Sequence, residues 1–160
     1  MMIHRLRPAF SMITAMFTVV IMASITAMVM NTASKIVQST TAQYQREQAM
    51  LWAKSYTEFA VMTVMSNDRR NNTCITTIDA DIDSPLNGLG YRVRTNISFI
   101  GSNAELNTCP LNVLNILDIN TPRSTLNVIV DVYIDYRDIN HPDIANAPWI
   151  TYHKRTLQKI

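Results

Sequence analysis

Asp79, Asp81 and Asp83 stand at alternate positions, and carboxylates spaced this way can supply oxygen ligands to calcium in a loop. The pattern lapses further along. Ser84 occupies the sixth position, where such a loop needs Gly, and Gly90 the twelfth, where it needs Glu. On a strand edge the same run would turn Ile78, Ala80 and Ile82 inward and the three acids outward. The strand edge is the stronger reading, and calcium is kept as the weaker one. The three histidines, His4, His141 and His153, are scattered with no metal-binding spacing, His141 sitting before Pro142 in a turn. No Ser, Cys or carboxylate has the setting of an activated nucleophile. Three glycines in 160 residues leave little material for a phosphate-cradling loop. The expectation is a protein that is not an enzyme and carries no cofactor.

Arg69-Arg70, Arg92, Arg94 and His153-Lys154-Arg155, with Tyr91 and Tyr152 nearby in sequence, offer the residue types that contact phosphates and stack on bases. The ordinary reading is solvated charge on a sheet face, and a net charge of +2 supplies no general attraction for polyanions. Nucleic acid is therefore the lesser candidate partner. Cys74 and Cys109 are the two cysteines. Export to an oxidising compartment would pair them, closing a loop of about 36 residues worth about 3–4 kcal/mol in the chain-entropy account. A reducing compartment would leave two thiols. Asn71-Asn72-Thr73 and Asn96-Ile97-Ser98 match the glycosylation sequon, a short pattern that recurs by chance.

These residues must be positioned by elements that the hydropathy pattern outlines. From Tyr91 to Phe99, from Val128 to Tyr136 and from Trp149 to Lys154 the period is two, as in half-buried antiparallel strands. Gly88 to Gly90, Gly101-Ser102-Asn103, Thr121-Pro122 and His141-Pro142 punctuate them. Residues 104–119 fit either a short helix or a further strand. Before residue 66 the period is helical. No Pro or Gly interrupts Ala9 to Met65, and Ser66-Asn67-Asp68 and Asn71-Asn72 form a stop. One helix from about Phe10 to about Met65 is expected, about 80–85 Å long at 1.5 Å per residue. Trp52, Tyr56 and Phe59 share a side of its second half and are expected to pack on the inner face of the sheet.

The first half of that helix has a different character. His4-Arg5-Leu6-Arg7 precede Pro8-Ala9-Phe10, and Ser11 to Ser34 carry no charge. Phe10 to Met30 is long enough to cross the ~30 Å hydrocarbon core, and the positive head is expected to stay in the cytoplasm. A removable secretory signal would show a shorter apolar stretch and a small-x-small site at its end. An uncleaved single-pass anchor is the other plain reading.

The junction Ala9-Phe10-Ser11-Met12-Ile13 after a basic head, running into an uninterrupted apolar helix, resembles the signal of type IV prepilins and type II secretion or competence pseudopilins. The resemblance implies an α+β fold, with a long N-terminal helix packed on a small antiparallel sheet. It divides the chain into a leader at 1–9, a transmembrane half-helix at 10–34, a periplasmic half-helix at 35–66 and a globular β domain at 67–160. It implies cleavage between Ala9 and Phe10 by a prepilin peptidase and methylation of the new amino group. Implied partners are other pilin-like subunits and an assembly platform in the bacterial inner membrane, with the C-terminal domain periplasmic. Ala9 replaces the usual Gly before the cut. Thr14 replaces the usual Glu of the fifth mature position, which points to a minor subunit and makes Thr14 a helix-packing position. A monomeric anchored binding module and a DNA-uptake receptor are the alternatives.

Overall fold

The computed structural model describes residues 9–67, 74–101, 113–116 and 126–160. Arg69, Arg70, Cys109, the sequon at 71–73 and most of 104–119 lie outside the described residues. The chain forms two compact units, Met1–Thr41 and Ala42–Ile160. One helix, α1, runs from Ala9 to Ser66, one residue beyond the expected limits at each end. It begins after Pro8 and stops at Ser66-Asn67, where short polar side chains compete for backbone hydrogen bonds.

In the first unit the helix is long and apolar enough to cross a membrane. Its most apolar stretch has a mean hydropathy of 2.2 and none of it is buried. Its hydroxyls turn back onto their own helix. Thr18 donates to the Ala15 carbonyl at 2.8 Å, Ser24 to Val20 at 2.6 Å, Thr26 to Met22 at 2.8 Å and Thr32 to Met28 at 2.9 Å.

In the second unit the remainder of α1 packs on a five-stranded sheet. The strands are β1 (Thr77–Ser84), β2 (Leu89–Gly101), β3 (Val113–Ile116), β4 (Asn127–Arg137) and β5 (Trp149–Lys159). Four of them run antiparallel in the order β1-β2-β4-β5, and β3 adds to β2 in parallel. The strand reading of 104–119 therefore holds at 113–116. The β1–β2 connection is the 3₁₀ turn Pro85–Asn87, closed by Gly88 at φ 76°. A side chain at Gly88 would also collide with Ile144 in the β4–β5 connection.

The inner face of the sheet is dense with branched and aromatic residues. Val93, Ile97, Val128, Val130, Val132 and Ile134 are fully buried and Phe99 nearly so, each contributing about 1.5–3 kcal/mol by burial. Against them α1 presents small residues, namely Ala49, Ala53, Thr57, Ala60 and Val64. Thr57 satisfies its hydroxyl on the Ala53 carbonyl at 2.6 Å, so a polar residue can sit in this seam without an orphaned group. Hydrogen bonds fix the entry of the packed half-helix. The Gln45 side-chain amide donates to the Arg137 carbonyl at 3.0 Å, and the Tyr91 hydroxyl donates to the Gln45 carbonyl at 3.3 Å. Burial raises the Tyr91 and Tyr136 phenols above their ordinary range, keeping both neutral beside each other at 5.7 Å between ring centroids.

The aromatic stripe needs correction at one position. Trp52 and Tyr56 pack against the core at its margin, but Phe59 is 48% exposed and touches Tyr56 edge-on at 6.2 Å. At 3.6 residues per turn Phe59 lies about 120° from the Ala53–Ala60 line. The helix approaches the sheet on its smallest residues, and the aromatics are displaced to the flank. Cys74 is disulfide-bonded.

Three substitutions separate these roles in denaturant unfolding of the detergent-solubilised chain. Ala60→Phe overfills the seam and is expected to cost about 1–3 kcal/mol, while Phe59→Ala should stay within about 1 kcal/mol of the parent. Thr95 buries a hydroxyl with no partner among the described residues. Thr95→Val removes that group at nearly constant volume and is expected to stabilise by about 1 kcal/mol.

Candidate functional site

Alternation along each strand sends every acid of β1 and β4, and Arg92, Arg94, His153 and Arg155, to the face opposite α1, while Thr95, Lys154, Thr156 and Gln158 fall on the helix side. Cross-strand register then gathers the outward residues into rows. Asp81, Arg92, Asp135 and Thr151 form one row; Asp79, Arg94, Tyr133 and His153 the next; Thr77, Asn96, Asp131 and Arg155 the third. Arg137 faces Trp149 at the end of the sheet. The first row runs acid, base, acid, and each of the other two sets one acid beside a base, the arrangement that favours cross-strand pairing.

Two carboxylates on the central strand β4 organise this face. Asp131 is 10% exposed and Asp135 6%, so each needs partners to remain ionised. Asp131 receives Arg155 Nε at 2.7 Å and Nη2 at 2.9 Å, a two-pronged pairing, and lies 2.8 Å from His153 Nε2. Asp135 receives Arg94 at 2.8 Å and 3.0 Å and the Thr151 hydroxyl at 2.6 Å. The Arg155 guanidinium, opposed in part by burial, holds the Asp131 carboxyl below the usual carboxylate range.

The aromatic rings on this face are engaged by cations. Tyr133 stacks on His153 at 4.4 Å and 9° between planes, and Arg94 stands 5.6 Å from the Tyr133 ring centre. Arg92 and Arg137 both lie over Trp149, at 4.8 Å and 4.5 Å. Arg137 also donates to the Ile144 carbonyl at 3.1 Å and to the Ala145 carbonyl, drawing the β4–β5 connection to this end of the sheet. Chemically the face is a polar and aromatic platform whose charges are largely paired. Arg92, Arg94 and the 153–155 cluster are brought to one sheet, although Lys154 points to the opposite side from His153 and Arg155. Tyr91 and Tyr152, the rings first matched to base stacking, pack against the core instead. Ring stacking on this surface would have to displace a guanidinium or an imidazole.

Asp79, Asp81 and Asp83 lie along β1 as exposed residues, with Ile78, Ala80 and Ile82 half-buried against the core. Successive same-side residues of a strand are about 6.6–7 Å apart, so these acids do not converge on one ion. Asp81 instead faces Arg92 at 3.8 Å, beside an open depression of about 410 Å³ lined by Asp79, Asp81, Arg92 and Arg94. Among the described residues no group of three or more His, Cys, Asp or Glu is placed to hold a metal.

Sequence reasoning missed Asp131 and Asp135. Their signal was an acid at every other outward position of the most apolar strand, each placed opposite a base or a hydroxyl.

Asp131→Asn is expected to cost about 1–3 kcal/mol at pH 7, since it removes charge-assisted bonds to two partners. Because the folded-state affinity of Asp131 for protons is depressed, its contribution is complete above the unfolded value of about 3.9. It is lost as the pH falls through the lower folded value. Unfolding midpoints of parent and variant should therefore differ at pH 7 and converge in acid as the pH falls through the depressed folded value.

The chain matches no family model, no curated protein and no solved structure.

Proposed function

We propose that this chain is a minor pilin or pseudopilin, a structural subunit that is stored in the bacterial inner membrane and assembled from it. One observation carries the reading. A single uninterrupted helix, Ala9–Ser66, is apolar and unburied in its first half and supplies one wall of a small sheet domain in its second. An ordinary anchor needs only to reach the membrane surface. Here the residues after the apolar run are committed to a folded core.

In this reading the basic head stays in the cytoplasm and the leader is cut between Ala9 and Phe10. The new amino group is methylated, and residues from Lys35 onward are periplasmic. Ser11, Thr14, Ala15, Thr18, Ala23, Ser24 and Ala27 give the apolar helix small surfaces at which neighbouring subunit helices approach closely. Thr14 lacks the carboxylate that would seek a neighbouring terminal amine in lipid, where an unmatched charge is expensive. That favours a minor position over the fibre shaft. The partners are other pilin-like subunits and the assembly platform.

The test is intact-mass analysis of the chain made in a host with and without a prepilin peptidase. The expected product with the peptidase lacks residues 1–9 and begins at Phe10. A retained Met1 with the peptidase present would leave a monomeric anchored binding module as the reading.

A further inference from the structure

The two edges of the sheet carry opposite charge. β1, at one edge, holds Asp79, Asp81 and Asp83 and no base; β5, at the other, holds Lys154, Arg155 and Lys159 and no acid. Among the described residues each of these strands pairs on one side only, β1 with β2 and β5 with β4. Among the described residues their outer sides therefore present backbone donors and acceptors without a strand partner, which is the condition for strand addition.

We propose that a second copy of this chain adds to the sheet edge to edge, β5 of one copy against β1 of the next. The strand directions permit it. Along β1-β2-β4-β5 each strand is antiparallel to its neighbour, so β1 of a copy placed beyond β5 in the same orientation is antiparallel to β5 and the alternation continues. The side chains fit the same continuation. With Asp79 of the incoming copy opposite Arg155, Asp81 falls opposite His153 on the outer face, and Asp83, at φ 61°, ends the regular part of the strand. On the inner face Ile82 falls opposite Tyr152 and Ala80 opposite Lys154. The row that ends in Arg155 is thereby extended with Asp79 and the row that ends in His153 with Asp81, an acid beyond a base in each.

Charge also selects against the other pairings. A two-fold contact of β1 with β1 would set three acids against three acids, and β5 with β5 three bases against three bases. The contact that remains is heterologous, using different surfaces on the two copies, and such contacts propagate unless a rotation closes them. Three charges of one sign on each edge prevent indiscriminate edge pairing while leaving the complementary edge as the favoured partner. This inference does not depend on how the N-terminus is processed.

The test uses the full chain in detergent micelles or nanodiscs, followed by sedimentation velocity at low and high salt. Self-association is expected at low salt and should weaken strongly at high salt, where exposed charges are screened. Asp79→Lys with Asp81→Lys makes both edges basic, and Lys154→Glu with Lys159→Glu makes both acidic. Each double variant alone should associate at least about tenfold more weakly than the parent. Mixed, they should restore association, because each then offers the other an opposite edge. Arg155 is left intact because Asp131 depends on it, and circular dichroism checks that both variants keep the parent fold. Lys154→Gln with Lys159→Gln, which neutralises the edge without reversing it, should weaken association to an intermediate degree.

A parent that stays monomeric at about 100 µM and low salt, the weak end of transient contacts, would overturn the proposal. So would variants that associate as tightly as the parent, or a mixture no tighter than its components.

Discussion

The packing of α1 on the sheet through its smallest residues is the constraint on which the domain depends. Ala49, Ala53, Thr57, Ala60 and Val64 leave little side chain between helix and strands, so the volume of the core is supplied almost entirely by β2 and β4. Helix and sheet are thus asymmetric partners. The helix contributes a smooth surface and the sheet the branched side chains that interdigitate above it. Gln45 then fixes where along the helix the sheet begins, through one donated and one accepted hydrogen bond to different strands.

That same central strand has two faces with unlike demands. The residues of β4 that face the helix are Val128, Val130, Val132, Ile134 and Tyr136, while Asp131 and Asp135 alternate with them on the far side. Because β4 is flanked on both sides by other strands, its outward carboxylates are shielded by neighbours instead of by water. Arg94, Arg155, His153 and Thr151 answer that shielding with hydrogen bonds. The outer face is ordered by this need, and its cation–ring contacts follow from where the guanidiniums are held.

The helix and three of the strands were legible in the residue pattern because long unbroken periods leave few alternatives. The aromatic stripe carried the expectation of helix against sheet, the resemblance to prepilins implied the same, and the structure has that layout. Phe59 was misplaced because an i, i+4, i+7 spacing describes a broad side of a helix and does not say which part of that side meets the sheet. The small residues at 49, 53, 57 and 60 carried the finer information, since close packing selects for missing volume. The paired carboxylates were hidden for another reason. Their partners are distant in sequence, and register between strands decides who meets whom. The alternation of acids in β1 was readable as a strand edge; its relation to β5 needed the strand order.

The hydroxyls of the apolar half-helix have a consequence of their own. Thr18, Ser24, Thr26 and Thr32 each find an acceptor within the preceding turn. The segment therefore carries its polar satisfaction with it, whatever surrounds it. Moving such a helix between lipid, detergent and a packed array of other helices exchanges one set of dispersion contacts for another and breaks none of these hydrogen bonds. Polar residues of this kind make the segment indifferent to its medium, so the choice among environments is left to the fit of Met, Val and Ile against whatever neighbours are offered.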